Sequence, residues 1–389
     1  MVKKGDMFYV SSLDSEIFAA GECGGGVTTI LKFLLEQGIV DAVLCVKKSA
    51  DIYDPVPTLI SNHNDLIETA GSLHCGTLNM AKIIEKYING ANDIKIAVTV
   101  KPCDAMSIIE LIKRDKINSD NVFMIGLNCG GTMSPVKTRE MIEKFYKINP
   151  DDVIKEEINN AKFIIKTNET EKGIKIDELE NQEYGRRSNC RRCDVNIPTM
   201  ADMAFGNWGV IGSKTGKCSF VEIFTDKGAE ILNKAVDSNV LAIETPSQEG
   251  IKIRTNIDKA MTKLAKQEQN IEFGEKKDNL LSILLKYSDQ LSKCIKCFGC
   301  TESCPISQDK ECVYENINLE SLESEKLPIS QMFYLKQLIY IANSCTNCGQ
   351  CEEVCPMEIP LSKIIHELKL NAKDLFKYSC EYEKEISKR

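Results

Sequence analysis

Cys294-Ile295-Lys296-Cys297-Phe298-Gly299-Cys300-Thr301-Glu302-Ser303-Cys304-Pro305 and Cys345-Thr346-Asn347-Cys348-Gly349-Gln350-Cys351-Glu352-Glu353-Val354-Cys355-Pro356 are two copies of one pattern, Cys-x2-Cys-x2-Cys-x3-Cys-Pro. That spacing lets three thiolates of one loop hold three corners of a 4Fe-4S cube while the fourth reaches a neighbouring cube. The expected wiring is crossed: Cys294, Cys297 and Cys300 with Cys355, and Cys345, Cys348 and Cys351 with Cys304. Two zinc ribbons are the competing reading, but zinc knuckles seldom carry a third Cys two residues on and a Cys-Pro end in both copies. Between the copies, Pro328 stands near the start of a run containing Phe333, Leu335, Leu338, Ile339 and Ile341, which reads as helix, so the module reads as a helical ferredoxin. Cys312 and Cys380 lie outside the pattern and read as packed or free thiols.

Working outward, the chain has 389 residues, 43% hydrophobic and 27% charged, which excludes disorder and collagen and suits about two domains. No apolar run is long enough for a membrane span, and Met1 to Asp6 lacks the apolar stretch of a secretory signal, so a cytoplasmic location is expected. Lys and Arg number 49 against 57 Asp and Glu, a net charge of -8, which argues against a non-specific grip on nucleic acid. In such a chain 18 Cys read as metal ligands before disulfides, and 3 His leave little room for histidine-based sites.

From Met7 to about Thr167, β-rich runs alternate with helical periods. Phe8 to Val10, a glycine-rich turn, a helix from Val27 to Gln37 stopped by Gly38, and Ile39 to Val46 read as a βαβ unit. Ile94 to Val100, a helix from Ala105 to Lys113, Val122 to Leu127, and a helix opened by Ser134 and Pro135 repeat the theme. Residues 151–185 read as a polar excursion with one apolar strand, Phe163 to Lys166. Then follow Ser219 to Thr225, a helix to Val236, Leu241 to Glu244, and a charged helical stretch from Asn256 to about Leu291. The fold class is therefore an α/β or α+β sheet domain, residues 1–275, followed by a helical two-cluster ferredoxin domain, residues 276–389.

A third, looser cysteine set lies upstream. Gly185-Arg186-Arg187-Ser188-Asn189-Cys190-Arg191-Arg192-Cys193 wraps a Cys-x2-Cys in four arginines, a field that lowers thiol pKa and offsets the charge of a thiolate-ligated cluster. Its partners must come from Cys23, Cys45, Cys75, Cys103, Cys129 and Cys218. Cys103 and Cys129 each follow a strand-like run, and residues just past the carboxyl ends of parallel strands share one edge of a sheet. Cys45 and Cys218 sit in or beside apolar strand patterns and read as core. Zinc is the alternative to 4Fe-4S here. The turn Gly21-Glu22-Cys23-Gly24-Gly25-Gly26-Val27-Thr28-Thr29 fits either a phosphate cradle at a helix N-terminus or a tight structural turn, and it is neither a Rossmann fingerprint nor a P-loop. Trp208 reads as a core aromatic or a flavin neighbour. His63 and His74 read as solvated.

Gly-Gly-Gly-Val-Thr-Thr at 24–29, Lys-Pro-Cys at 101–103, Gly-Leu-Asn-Cys at 126–129, Asn-Cys-Arg-Arg-Cys at 189–193 and Ala-Asp-Met-Ala-Phe-Gly at 201–206 resemble the beta subunits of coenzyme F420-dependent hydrogenases and formate dehydrogenases, over roughly residues 15–260. The resemblance implies an FAD-containing iron-sulfur subunit that passes electrons to the deazaflavin F420. It implies a third cluster on Cys103, Cys129, Cys190 and Cys193. It implies cofactor contacts at Gly24, Gly25, Gly26, Thr28, Thr29, Lys101, Asp202 and Gly206, with Arg186, Arg187, Arg191 and Arg192 holding either the FAD pyrophosphate and the acidic F420 tail or the cluster charge. Cys23 stands where the family usually has Ser, and Val-Lys-Pro-Cys where it usually has Gly-Thr-Pro-Cys. Two extra clusters at the carboxyl end resemble the formate dehydrogenase branch, which implies a separate molybdopterin-containing alpha subunit and, as a further partner, a heterodisulfide reductase. No general base is expected for a hydride transfer governed by stacking and orientation.

Overall fold

The computed structural model describes residues 1–159, 161–274, 280–307, 338 and 341–372. Its strands are β1 (Met7–Ser12), β2 (Ala42–Lys48), β3 (Pro55–Ile60), β4 (Ile96–Val100), β5 (Val122–Leu127), β6 (Lys155–Asn159), β7 (Lys162–Lys166), β8 (Glu171–Lys175), β9 (Met203–Gly206), β10 (Ser219–Ile223) and β11 (Leu241–Glu244). Eight of them form a mixed sheet in the order β11-β1-β10-β9-β5-β4-β2-β3. Its centre is parallel, with β2 beside β4, β4 beside β5 and β5 beside β9, while β1, β3, β10 and β11 add antiparallel flanks.

The alternation of side chains along β5 shows why the sheet is covered on both faces. Phe123 and Ile125 enter a core with Ile30 and Leu34 of the helix Gly26–Glu36 and Leu232 of the helix Asp226–Asp237. Val122 and Met124 enter the opposite core with Met80 and Ile84 of the helix Met80–Tyr87 and Ile108 of the helix Pro102–Lys113. Parallel strands buried on both faces read as near-continuous apolar runs, as β4 and β5 do. The βαβ connection spans the sheet: β1 and β2 run parallel, but four strands stand between them because β1 spends both its edges on β10 and β11.

The excursion expected with one strand is a three-stranded antiparallel sheet, β6-β7-β8. Phe163 and Ile165 of β7 pack on Tyr53, Cys75, Met141, Tyr146 and Leu179. Inside this core the Cys75 thiol donates to the Glu156 carboxylate at 3.2 Å, so Cys75 is drawn away from the third cysteine set. The solvated reading is corrected for His74 alone. His74 is buried beside Phe163, which holds its imidazole down at about 4, and His63 pairs with Glu36 at 3.1 Å.

The charged helical stretch starts earlier and stops sooner than expected, as the helix Gln248–Phe273. The Ser247 hydroxyl caps its first turn by accepting the Gly250 N–H, and Gly274 leaves it at φ 78°. The expected domain boundary at 275/276 lies outside the described residues, as do Cys312, Cys380 and the run from Pro328 to Leu335 with Ile339. Beyond it come the helices Leu280–Lys286, Ser288–Ser292, Gly299–Ser303, Gln350–Glu353 and Leu361–Ala372. They share a core of Ile283, Tyr287, Leu291, Ile306, Leu338, Ile341, Ile364, Ile365 and Leu368 with cysteines packed against it. This is the sheet domain followed by a helical cysteine-rich domain that the sequence leads one to expect.

Burial pushes the Glu156 carboxyl from its ordinary 4.5 up to about 7, against the opposing hydrogen bonds from Cys75 and the His74 backbone. The folded chain therefore binds more protons than the unfolded chain across that window, and this contribution to stability falls as pH rises through it. Glu156→Gln should gain on the parent by on the order of 3 kcal/mol between pH 4.5 and pH 8, read from urea midpoints. The comparison cancels the opposite trend from the buried His74 and His366. A pH-independent difference would remove Glu156 from the account.

Candidate metal centre

The two Cys-x2-Cys-x2-Cys-x3-Cys loops repeat in conformation as well as sequence. In the first, Lys296 and Phe298 are left-handed, both at φ 60°; in the second, Asn347 and Gly349 stand at the same places at φ 54° and 75°. Each loop then runs into a short helix, Gly299–Ser303 or Gln350–Glu353. The left-handed steps turn backbone N–H groups toward sulfur: Lys296 N–H reaches Cys294 Sγ at 3.4 Å and Asn347 N–H reaches Cys345 Sγ at 3.3 Å. All eight cysteines of the two motifs line one largely apolar cavity. Within it the thiols sort by neighbour. Cys300 lies in the field of Cys294, Cys297 and Cys355, whereas Cys351 lies in that of Cys348, Cys304 and Cys345.

The third set assembles from four separate places. Cys103 follows β4 and Cys129 follows β5, and because these strands are parallel neighbours both residues sit on one sheet edge. The short helix Ser188–Arg191 and the residues after it bring Cys190 and Cys193 to the same edge. Burial, with Cys190 adding to it, pushes the Cys129 thiol up to about 11, and burial, with Cys190 and Cys129 adding to it, pushes Cys193 up to about 12. Burial likewise raises Cys103, whose thiol neighbours are Cys348 and Cys129. Gly131 N–H reaches Cys129 Sγ and Thr132 N–H reaches Cys190 Sγ, each at 3.4 Å. Thiols so deeply buried ionise only when bound metal and nearby positive charge offset desolvation, and a soft sulfur-only donor set suits iron-sulfur or zinc. Cys45 contacts the Thr58 carbonyl, Cys218 contacts that of Lys214, and Cys23 lies near Cys218, so their contacts tie them to other groups than the third set.

The second ferredoxin loop is docked directly on this set. Asn189 and Asn347 exchange amide-to-carbonyl hydrogen bonds of 3.0 and 2.7 Å, and the Ser107 and Thr346 hydroxyls meet at 2.9 Å. A Cβ on Gly349 would come within 2.5 Å of Asn189, whereas Phe298, its counterpart in the first copy, has an exposed ring.

The arginines serve this junction. Arg187 donates to the Cys348 carbonyl at 3.1 Å and pairs with Glu353 at 3.4 Å. Arg192 is wholly buried between Glu272 at 2.8 Å and Ser362 at 3.0 Å, Arg186 pairs with Glu180, and Arg191 pairs with Glu268. The expectation that Arg187 and Arg192 anchor a soluble cofactor is corrected, because both guanidiniums are enclosed by the protein's own acceptors. Asp202 is corrected in the same way. Its two oxygens accept the Met124 N–H and the Thr225 hydroxyl, each at 2.8 Å, which makes it a buried brace between β5 and the start of the helix Asp226–Asp237. Lys101 is held by Asp104 at 2.9 Å and by the Leu78 carbonyl; burial opposes its charge, but Asp104 and the Cys103 thiol outweigh that and raise its pKa.

The glycine turn lies along the same edge. Gly24 and Gly25 are left-handed, and a Cβ on either would strike the Lys217 or Ile17 carbonyl, so the protein's own backbone requires these glycines. Thr29 donates to the Gly25 carbonyl or Ser12 hydroxyl, and Thr28 is buried. Gly26 abuts Phe205, and the next residue, Gly206, carries the Asn128 side chain against its Cα. Trp208 is half-buried just beyond. Asn128, Asn189, Asn347 and Thr132 escape sequence reasoning; the spacing of Glu268 and Glu272, one helical turn apart and facing Arg191 and Arg192, was the legible signal.

Residues 7–85 match the family described as coenzyme F420 hydrogenase/dehydrogenase, beta subunit N-term, and residues 93–249 the corresponding C terminus. The F420-dependent formate dehydrogenase subunit beta of Methanocaldococcus jannaschii is 45% identical over 95% of this chain and 94% of its own length. The chain belongs to the coenzyme F420 hydrogenase/dehydrogenase beta-subunit family. As a family member it is an oxidoreductase subunit. Another relative, F420-dependent formate dehydrogenase 1 subunit beta of Methanococcus maripaludis, is 44% identical over 93% of this chain and 92% of its own length. A chain of the F420-reducing [NiFe] hydrogenase complex from Methanosarcina barkeri shares the fold, with a TM-score of 0.59 at 20% identity over 70% of this chain and 94% of that one. Residues 290–359 match a 4Fe-4S dicluster domain, which spans both ferredoxin loops and identifies them as iron-sulfur rather than zinc sites.

The difference between Phe298 and Gly349 is testable in this family member. Gly349→Phe should weaken docking by about 1–3 kcal/mol through overpacking and speed tryptic release of the carboxyl-terminal domain. Phe298→Gly should leave release unchanged, and equal behaviour of the two variants would refute the assignment of the docked loop.

Proposed function

We propose that this chain is the electron-transfer beta subunit of an F420-dependent formate dehydrogenase: single electrons from formate oxidised on a separate molybdopterin-containing alpha subunit pass through three 4Fe-4S clusters to FAD and leave as hydride on coenzyme F420. The observation that carries the reading is the contiguity of the thiol sets, with Asn189 and Ser107 of the sheet domain bonded to Asn347 and Thr346 of the second ferredoxin loop, and Cys103 in the field of Cys348. Cys294, Cys297, Cys300 and Cys355 hold the outermost cluster, where Cys297 and Ile295 are exposed to a docking partner. Cys345, Cys348, Cys351 and Cys304 hold the middle one, and Cys103, Cys129, Cys190 and Cys193 the innermost. Residues 1–275 form the flavin- and F420-binding domain, and residues 276–389 the ferredoxin domain.

A flavin supplies the exchange between one-electron clusters and a two-electron deazaflavin. Three features at the carboxyl edge of the sheet support a place for it. The helix at Gly26 has no side-chain cap, its first turn lies next to Phe205, and the side-chain Oδ1 of Asn128 is buried without a hydrogen-bond partner among the described residues. Lys101 keeps a positive charge beside Cys103, which offsets cluster charge on the flavin side.

Two measurements test this. Cys193→Ser should lower iron by one cluster per chain; loss of zinc instead would overturn the third cluster. The parent chain, reconstituted without oxygen with iron, sulfide and FAD, should bleach coenzyme F420 when given dithionite-reduced viologen and leave NAD untouched. Bound flavin with no bleaching would sink the F420 assignment, and failure to bind flavin would make the chain a relay scaffold.

A further inference from the structure

Among the described arginines, Arg187 alone hydrogen-bonds both the second ferredoxin loop and a residue that contacts the third cysteine set. Its Nη2 donates to the Cys348 carbonyl at 3.1 Å and its Nη1 pairs with Glu353 at 3.4 Å, both on the second ferredoxin loop. Its Nε donates to the Thr132 hydroxyl at 3.2 Å, and Thr132 in turn presents its N–H to Cys190 Sγ at 3.4 Å and its hydroxyl at 3.8 Å. Its own N–H is fixed to the Thr132 carbonyl at 3.0 Å. One guanidinium therefore spans the two thiol sets, with 8% of the residue exposed. Arg186 and Arg191, by contrast, are bound to carboxylates away from the second ferredoxin loop, and Arg192 is bound to Glu272 of the long helix and Ser362, with its charge felt at Cys345 but no bond to either thiol set.

We infer that Arg187 is a positioning residue shared by two clusters, the middle and the innermost, and that its single charge raises the reduction potential of both. The inference rests on the three-cluster reading above. The physical reason is that reduction adds an electron to a site already negative from four thiolates. A buried cation close to both sites stabilises each reduced form far more than it would in water. Glu353 partly cancels the charge from the solvent side, so the pair forms a set point. The rigid fork of Arg suits this place, because it holds the Cys348 loop and the Thr132 to Cys190 link at the same time.

The test is an anaerobic potentiometric titration of the full chain, reconstituted with iron and sulfide and followed by electron paramagnetic resonance. Arg187→Gln should make one-electron reduction of two of the three clusters about tenfold less favourable, a fall of about 59 mV each, while the outermost cluster stays within error. Glu353→Gln, which removes the ion pair but keeps the cation, should move the same two potentials upward. Arg187→Lys should keep both near the parent values. If three clusters load and neither variant moves two potentials, or if only one potential moves, Arg187 is an interface clamp and the inference fails. If Arg187→Gln loads poorly, Glu353→Gln decides: both potentials rising sustains the inference, and unchanged potentials overturn it. Iron for only two clusters in the parent chain would instead overturn the three-cluster reading itself.

Discussion

Gathering cysteine thiols in a dry interior is the constraint on which the rest of the structure depends. Burial, with neighbouring thiols adding to it, pushes Cys304 and Cys193 up to about 12 and Cys348 to about 11. Such a collection can act as a ligand set only if positive charge and N–H donors are brought to it. The surrounding architecture supplies both. Left-handed steps aim backbone N–H groups at sulfur, and Arg187, Arg192 and Lys101 are buried close by. Each of those cations is in turn tied to a carboxylate or carbonyl, because an unpaired buried guanidinium or ammonium would cost several kcal/mol.

The sheet decides where this happens. Four parallel strands end on one edge, and the segments leaving β4 and β5 carry Cys103 and Cys129 there without any long loop. The long helix Gln248–Phe273 then acts as a strut. Near its start Gly250 packs against Tyr9 and the Gly209 carbonyl; at its far end Glu268 and Glu272 hold Arg191 and Arg192, and Glu272 reaches on to Lys363 of the ferredoxin domain at 3.4 Å. The junction is therefore braced from the sheet, from the helix and from the ferredoxin loop together.

The internal repeat is symmetric in its metal-binding pattern and asymmetric in its surroundings. A left-handed residue is needed before the short helix in both copies, and Phe298 tolerates that strain where its ring is exposed. Gly349 stands where Asn189 leaves no room for a Cβ. One loop has thereby become the docking surface for the third cysteine set, while the other meets the sheet domain through Glu302 with Lys86 and the Ile306 carbonyl with Arg114.

The sequence by itself determined the chemistry of the sites and the elements that carry them. Cysteine spacing is local, so the ferredoxin loops were legible, and the apolar runs of β4 and β5 fixed parallel strands whose ends would share an edge. Tertiary structure decided what local pattern cannot encode. The partner of Cys75 is Glu156 on a strand far along the chain, His74 is buried because the small sheet closes over it, and β1 joins β10 and β11 because antiparallel partners arrive only after two hundred residues. The four arginines show the division most clearly. Their clustering around Cys190 and Cys193 announced a positive field, but which of them would brace the long helix and which would span two thiol sets depended on where Glu268, Glu272 and Glu353 come to rest, and those contacts form between residues distant in sequence only once the chain is packed.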